Sequence, residues 1–240
     1  MPSRNAISSW LLISIVTFIS AASASTAAGT TSASAAVSKK VVYSCIDGYE
    51  RLLPGEYYAC RARYHFERKH YSQMMDTLEE AAHWASKSAQ YTLGLIYLNG
   101  DIPGVPANRP LAIAWLALAA ERKDATYSRT YSLVCLRSTP TAIRAGAALF
   151  HEMSPEYGDK VAGTRAVRRF NREIRPIEDA ANGGGLMWLS GFSPFPEHGV
   201  AMLVRLHGMA DNFFEGLTGT VTVGPLQSKY SKIPPAKPSD

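Results

Sequence analysis

The stretch AQYTLGLIYLNG at residues 89–100 decides the fold class of this 240-residue chain. Ala89, Leu93, Ile96 and Tyr97 recur at helical spacing, so their side chains fall on one face of a helix. Gly100 follows at the position where a left-handed residue commonly ends a helix. The pattern therefore predicts an amphipathic helix that ends at this glycine.

A second helix is predicted directly downstream. Asn108 is a favourable N-cap residue, and Pro110 falls in the first turn, where proline is tolerated. The apolar face of this helix consists of Leu111, Ala114, Trp115, Leu118 and Ala119. Residues 121–124 (ERKD) end the helix. Two helices joined by a loop with cap signals at each end predict a helical hairpin.

The same pattern occurs upstream. Residues 58–64 (YACRARY) align with residues 91–97 (YTLGLIY), and the alanine pair at residues 81–82 aligns with the pair at residues 119–120. Alanine at these positions lets two helices cross closely, while a neighbouring tyrosine or leucine fills the space beside it. The spacing of the copies lies in the range typical of repeat proteins.

A third, weaker copy begins near Ala125. Its second helix is expected at residues 139–153, with Ile143, Ala147 and Phe150 facing inward. Together the three copies predict an all-α fold, a short α-solenoid of antiparallel helix pairs.

The central copy resembles a Sel1-like repeat, a relative of the tetratricopeptide repeat. The family pattern is A-x-x-x-L-G-x-x-Y-x-x-G, then a loop, then A-x-x-W/Y-x-x-x-A-A. Residues 89–100 match its first half, and Ala112, Trp115 and residues 119–120 match its second half. Asn108 stands where the family usually has aspartate. The two outer copies match less well, as expected for the capping repeats that a short array needs.

The resemblance implies a curved α-solenoid that binds a protein or peptide on its concave side. Separately, the residues predict no cofactor and no metal. Tyr91, Tyr97, Trp115 and Arg122 are candidates for the packing of the repeat or for its concave face, and the sequence does not separate these roles.

The N-terminus indicates export. Arg4 precedes an apolar run at residues 7–19, and Ala-x-Ala sites follow at residues 22–24 and 33–35. We interpret residues 1–24 as a signal peptide and residues 25–40 as a flexible linker, and no later segment is apolar enough to span a membrane. The expected location is therefore periplasmic or secreted.

Three cysteines are consistent with this location. Cys45 and Cys60 flank a turn-rich stretch and are the favoured disulfide pair. A bond between Cys60 and Cys135, or no bond, remains an alternative. The repeat region is assigned to residues 41–155.

Residues 156–226 form a C-terminal extension that the repeat does not explain, and residues 227–240 form a Pro- and Lys-rich tail expected to be disordered. Residues 202–209 could form a short helix, and residues 218–223 (TGTVTV) alternate like a strand and could form a minor β-hairpin.

A basic helix is predicted within the extension. Its arginines at helical spacing are Arg165, Arg168, Arg169, Arg172 and Arg175. Another face carries Val161, Ala162, Val167, Phe170 and Ile174. The arginines could bind an acidic protein, a glycan or an anionic lipid surface. Alternatively, they form a solvated face paired locally with Glu173 and Glu178. The net charge of +5 is too small to predict a nucleic-acid-binding surface.

The sequence contains little evidence for a catalytic or metal site. Glu80 and His83 lie one helical turn apart, but a metal site needs further ligands that the sequence does not place. The residues Ser190, His198, His207 and Asp211 could form a hydrolase triad only if folding brought them together. The glycines that follow Asn182 are expected to end a helix. A binding scaffold is the leading hypothesis, a basic face for anionic surfaces is the second, and a C-terminal hydrolase is the third.

Overall fold

A computed structural model describes residues 45–217, most of which are helical. The helices are α1 (Tyr49–Leu52), α2 (Pro54–Glu67), α3 (Tyr71–His83), α4 (Lys87–Asn99), α5 (Arg109–Ala119), α6 (Ala125–Leu136), α7 (Pro140–Tyr157), α8 (Thr164–Asn182) and α9 (Gly199–Phe213). A 3₁₀ turn (Ala120–Arg122) follows α5, a π-helical turn (Asp159–Gly163) precedes α8, and strands β1 (Leu186–Met187) and β2 (Glu197–His198) lie between α8 and α9. The all-α solenoid prediction is confirmed.

The central helix pair forms as its end signals predict. Gly100 adopts φ 65° and ends α4, and its backbone N–H donates to the carbonyl of Ile96. The side chain of Asn108 accepts a hydrogen bond from the backbone N–H of Leu111 at 3.1 Å and begins α5. Gly94 explains the close crossing of these helices, because a Cβ atom there would lie 2.7 Å from Cγ of Leu116.

The repeat core continues from this pair into the preceding one. α2 packs on α3, α3 packs on α4, and α4 packs on α5. Their shared buried cluster includes Ala62, Leu78, Leu93, Trp115 and Leu118. The alanines at residues 81–82 and 119 are fully buried, as the close-crossing argument requires.

The third pair packs differently. α7 lies chiefly against α5, and it extends to Tyr157, beyond the predicted end at residue 153. Ile143 and Phe150 are partly buried, but the expectation for Ala147 is wrong, because that side chain is exposed. Gly146 faces the core instead, where a Cβ atom would lie 2.7 Å from Cγ2 of Ile113. α7 therefore approaches α5 through a glycine.

The C-terminal extension shares its core with the start of the described chain, because Leu52, Leu53 and Ala85 belong to the same buried cluster. Phe170 and Ile174 of α8 pack with Met202, Leu203 and Leu206 of α9. The helix expected at residues 202–209 is longer, and the glycines after Asn182 do end α8. Strands β1 and β2 pair antiparallel through Leu186 with His198 and Met187 with Glu197.

Two side chains of the extension have surroundings that the sequence did not predict. Val161, assigned to a face other than the arginine face, is 38% exposed. The alternative in which Glu178 pairs with the arginines is not observed, because its carboxylate contacts His207. The predicted signal peptide, linker, hairpin at residues 218–223 and tail lie outside the described residues.

The predicted disulfide joins Cys45 to Cys60 and ties the start of the described chain to α2, while Cys135 is free and partly buried. Within residues 45–217, no helix has the length and apolar character that a membrane span requires.

The close approach of α7 to α5 can be tested with Gly146→Leu. The larger side chain would force α7 away from Ile113 and the carbonyl of Pro110. We expect it to lower the free energy of unfolding by about 3 kcal/mol, the upper part of the usual overpacking range. Urea unfolding followed by circular dichroism measures this. Ala145→Leu, at an exposed neighbouring position, should leave stability nearly unchanged. Equal stability of the two variants would contradict the packing.

Candidate functional site

The aromatic residues singled out in the repeat are packing residues. Trp115 is 3% exposed, and its ring lies 4.9 Å from that of Tyr157. The ring of Tyr91 lies 4.7 Å from that of Tyr127 on α6. Tyr97 is partly buried against the repeat core, and burial raises the pKa of its phenol, with a smaller contribution from a neighbouring carboxylate. Tyr91 and Trp115 therefore stabilise the repeat and its neighbours.

Arg122 is also an internal residue, since its side chain is only 7% exposed. Its guanidinium donates hydrogen bonds to both carboxylate oxygens of Asp159, the shortest at 3.0 Å. It also donates to the carbonyl of Ala85 at 3.1 Å and to the carbonyl of Phe213 at 2.6 Å. Ala85 follows α3, Asp159 precedes α8 and Phe213 ends α9. Arg122 therefore joins the repeat to the C-terminal extension.

Lys87 completes this buried network. Its side chain is 7% exposed, and its Nζ donates to Glu121 Oε2 at 2.7 Å and to the carbonyl of Leu118 at 2.7 Å. Asp159 Oδ1 lies 3.1 Å from the same Nζ. Burial lowers the pKa of Lys87, while the charges of Asp159 and Glu121 act in the opposite direction. We call Lys87, Glu121, Arg122 and Asp159 the charge network; its two cations and two carboxylates are formally neutral.

Sequence reasoning missed Lys87 and Asp159. One local signal was available, since Lys87 is the first residue of α4, where the helix dipole disfavours a cation. A lysine at such a position needs compensating carboxylates. The local sequence does not identify Asp159 as one of these carboxylates, because Asp159 lies 72 residues downstream of Lys87.

An apolar groove lies between α2 and α4, which both pack on α3. It has a volume of about 580 Å³. We call it the α2–α4 groove, and its lining includes Ala59, Ala62 and Phe66 from α2, Met74 and Leu78 from α3, and Ala89, Thr92, Leu95 and Ile96 from α4. Small alanines on both walls leave room for side chains from outside. Phe66 is 51% exposed, so part of its ring is accessible from the groove.

A second groove contains four of the five arginines of the predicted basic face. Arg165, Arg168, Arg169 and Arg172 line a groove of about 550 Å³ together with Lys160 and Trp84. The sequence placed the arginines on one helix face, but it did not indicate that Trp84, at the end of the first helix pair, would form the facing wall. We call these six residues the basic groove.

The residues considered for catalysis are not assembled into a site. His207 Nε2 lies 3.0 Å from Glu178, and no hydrogen bond between residues 45 and 217 joins Ser190, His198 or Asp211 to it. Glu80 accepts a hydrogen bond from the indole of Trp84, and His83 contacts Glu156. In this part of the chain, no group of three or more histidine, cysteine, aspartate or glutamate side chains is arranged to hold a metal ion.

The charge network can be tested with Asp159→Asn. Loss of this carboxylate would leave Lys87 and Arg122 buried with one negative partner, Glu121. We expect the free energy of unfolding to fall by about 3 kcal/mol or more, as for other buried ion pairs that lose one partner. Chemical denaturation measures the change. Asp179→Asn removes the same charge from an exposed position on α8 and should change stability by less than about 0.5 kcal/mol. Equal effects of the two substitutions would show that the network does not stabilise the fold.

Comparison with known protein families identifies the central helix pair. Residues 87–124 match the Sel1 repeat, a family whose repeats generally mediate protein–protein interaction. No match was found among curated proteins or among solved structures. The matched segment begins at Lys87 and includes Glu121 and Arg122, so three members of the charge network lie within it. Residues 87–124, which form α4, α5 and the 3₁₀ turn, are therefore similar to a Sel1 repeat.

Proposed function

We propose that this protein is an exported scaffold that binds an amphipathic helical segment of a partner protein in the α2–α4 groove. The observation that carries the proposal is the groove itself, an apolar channel beside the Sel1 repeat with a half-exposed phenylalanine, Phe66, on its lining. Protein–protein interaction is the general role of such repeats.

The dimensions of the groove favour a helix. The α2 wall runs from Ala59 to Phe66, a length of about 10 Å at the rise of an α-helix. Two turns of a partner helix fit along this wall and would present apolar side chains at helical spacing. Covering Phe66 and Leu95, which are half-exposed and partly exposed, removes apolar surface from water, which drives such association.

The rim of the groove adds a polar preference. Asp101 lines one end, is exposed, and forms no ion pair with any residue between 45 and 217. A basic residue at the corresponding end of the partner helix would complement it. Because an exposed pair of this kind contributes little free energy, we expect it to orient the partner rather than to determine affinity.

Export is supported by two features. Residues 1–24 carry the basic, apolar and small-residue pattern of a signal peptide. The disulfide between Cys45 and Cys60 is of a kind that persists in oxidising compartments. We therefore propose a periplasmic or secreted location for the partner interaction.

The partner site can be tested with Thr92→Arg. Thr92 is an exposed groove residue whose hydroxyl bonds only to the carbonyl of Ser88, so arginine there would fill the groove without disturbing the core. A photo-crosslinking amino acid at Leu95 first identifies the bound segment in the organism that encodes the chain. We expect a synthetic peptide of that segment to bind the wild-type protein and to bind Thr92→Arg roughly tenfold more weakly.

Ser132→Arg is the matched control. Ser132 is exposed in the middle of α6, and its hydroxyl makes the same bond to a carbonyl four residues earlier, but it does not line the groove. This variant should bind like wild type. Crosslinks that form only within the chain, or a peptide whose binding both variants weaken equally, would reject the groove as the partner site.

Export can be tested by intact mass of the protein recovered from its native compartment. We expect a chain that lacks residues 1–24 or, with cleavage at the second Ala-x-Ala site, residues 1–35. Alkylation of the denatured, non-reduced protein should label Cys135 alone, and alkylation after reduction should label all three cysteines. A full-length mass, or three accessible thiols without reduction, would contradict export.

A further inference from the structure

We propose that the basic groove binds a strand of acidic polysaccharide, a glycan whose sugars carry carboxylates. This site is separate from the α2–α4 groove and does not depend on the function proposed for it.

The cations form a row suited to a linear ligand. Arg165, Arg168, Arg169 and Arg172 lie at positions i, i+3, i+4 and i+7 of α8. Residues at this spacing share one face of a helix, and the row extends for about 10 Å along its axis. Lys160 extends the row at the N-terminal side. A chain with regularly repeated anions matches such a row.

Most of this positive charge is not neutralised within the protein. Lys160 and Arg168 are exposed and make no side-chain hydrogen bond or ion pair with any residue between 45 and 217. Arg165 donates only to carbonyl oxygens, to that of His83 at 2.6 Å and to that of Glu156 at 3.4 Å. Among residues 45–217, no carboxylate therefore lies within ion-pair distance of these three cations.

The remaining cations share one carboxylate. Glu173 contacts Arg172 at 3.1 Å and Arg169 at 3.8 Å, and it also accepts a hydrogen bond from Arg51 at 2.9 Å. The hydrogen bond from Arg51, with smaller contributions from Arg172 and Arg169, holds the pKa of Glu173 below its ordinary value. Glu173 therefore stays ionised and supplies one negative charge to three arginines.

Two arginines are fixed in place before any ligand binds. Besides the bond from Arg165 to His83, Nε of Arg169 donates to the carbonyl of Arg51 at 2.9 Å. Because the side chains are already ordered, a ligand that binds them loses less conformational entropy. Guanidinium groups held in this way can bind carboxylates through paired hydrogen bonds.

The groove shape favours a strand over a membrane surface. The side chain of Arg169 is only 31% exposed, and Arg165 is also recessed, so a flat array of lipid headgroups would reach the outer cations before these two. A flexible chain can enter the groove and contact all of them.

The groove wall favours a sugar over an acidic peptide. Its apolar surface comes mainly from Trp84 and Val161, which offer little cover for the large side chains of a peptide. The indole of Trp84 is held by a hydrogen bond to Glu80 at 2.9 Å, and the Arg169 guanidinium lies 5.8 Å from its ring centroid. The part of this indole that lines the groove offers an apolar contact to sugar C–H groups, beside guanidinium groups that can donate to carboxylates.

The test is calorimetric titration of the secreted protein with an alginate hexasaccharide, a defined polyuronate. We expect binding that weakens as NaCl is raised, because salt screens the charges. Arg168→Glu should weaken binding by roughly tenfold or more, because it removes a charge-assisted hydrogen bond and places a negative charge beside the carboxylates of the ligand. Arg168 makes no contact that the fold needs, so the thermal midpoint of this variant should match that of wild type.

Arg175→Glu is the matched control, because Arg175 is an exposed arginine of the same helix that does not line the groove. It should raise the dissociation constant of the polyuronate by a clearly smaller factor than Arg168→Glu does. A neutral dextran hexasaccharide, hexaglutamate and phosphatidylglycerol vesicles complete the comparison, and each should bind more weakly than the polyuronate. Absence of polyuronate binding, equal effects of the two substitutions, or tighter binding of hexaglutamate or vesicles would overturn the proposal.

Discussion

The charge network is the interaction on which the rest of this structure depends. Lys87 and Arg122 are cations with side chains only 7% exposed, and Asp159 contacts both of them. Charges removed from water in this way are tolerated only when partners and additional hydrogen bonds surround them. Here the additional bonds go to the carbonyls of Ala85, Leu118 and Phe213. The network therefore connects both helix pairs to the end of α9.

The charge network helps to hold in place the segments that cover the ends of this short repeat array. A repeat array buries its open face by stacking another copy, and a short array needs a different cover. In this chain, α7 packs on α5 at one end of the array, and α8 and α9 pack beside the first helix pair. The network joins these parts at one point. Trp84, which lines the basic groove, immediately precedes Ala85, whose carbonyl accepts a hydrogen bond from Arg122.

The parts of the fold that the sequence predicted are those with local causes. Gly100 and Asn108 act within one turn of their own positions, and the alanine pairs act through the helix that carries them. The pairing of Cys45 with Cys60 was also accessible, because these cysteines are close in the chain and flank turns. The arginines of α8 followed from helical spacing alone.

The parts that were missed depend on contacts distant in the chain. The prediction that Ala147 lies in the core was wrong because the predicted rotation of α7 about its axis was slightly off. Gly146 faces α5 instead, where Ile113 leaves no room for a Cβ atom. Arg122 was a candidate binding residue until its contacts to Asp159 and Phe213 were known. Trp84 was not considered for any site, because nothing in its local sequence indicates that α8 lies opposite.

Native-state hydrogen exchange tests the central claim most directly, that the repeat and the C-terminal extension unfold as one unit. The most protected amides of α4 and α5 and those of α8 and α9 should exchange through a single opening with the same free energy, and that free energy should fall equally with denaturant in all four helices. Amides of α8 and α9 that exchange through a separate opening of much lower free energy, while α4 and α5 stay protected, would contradict it.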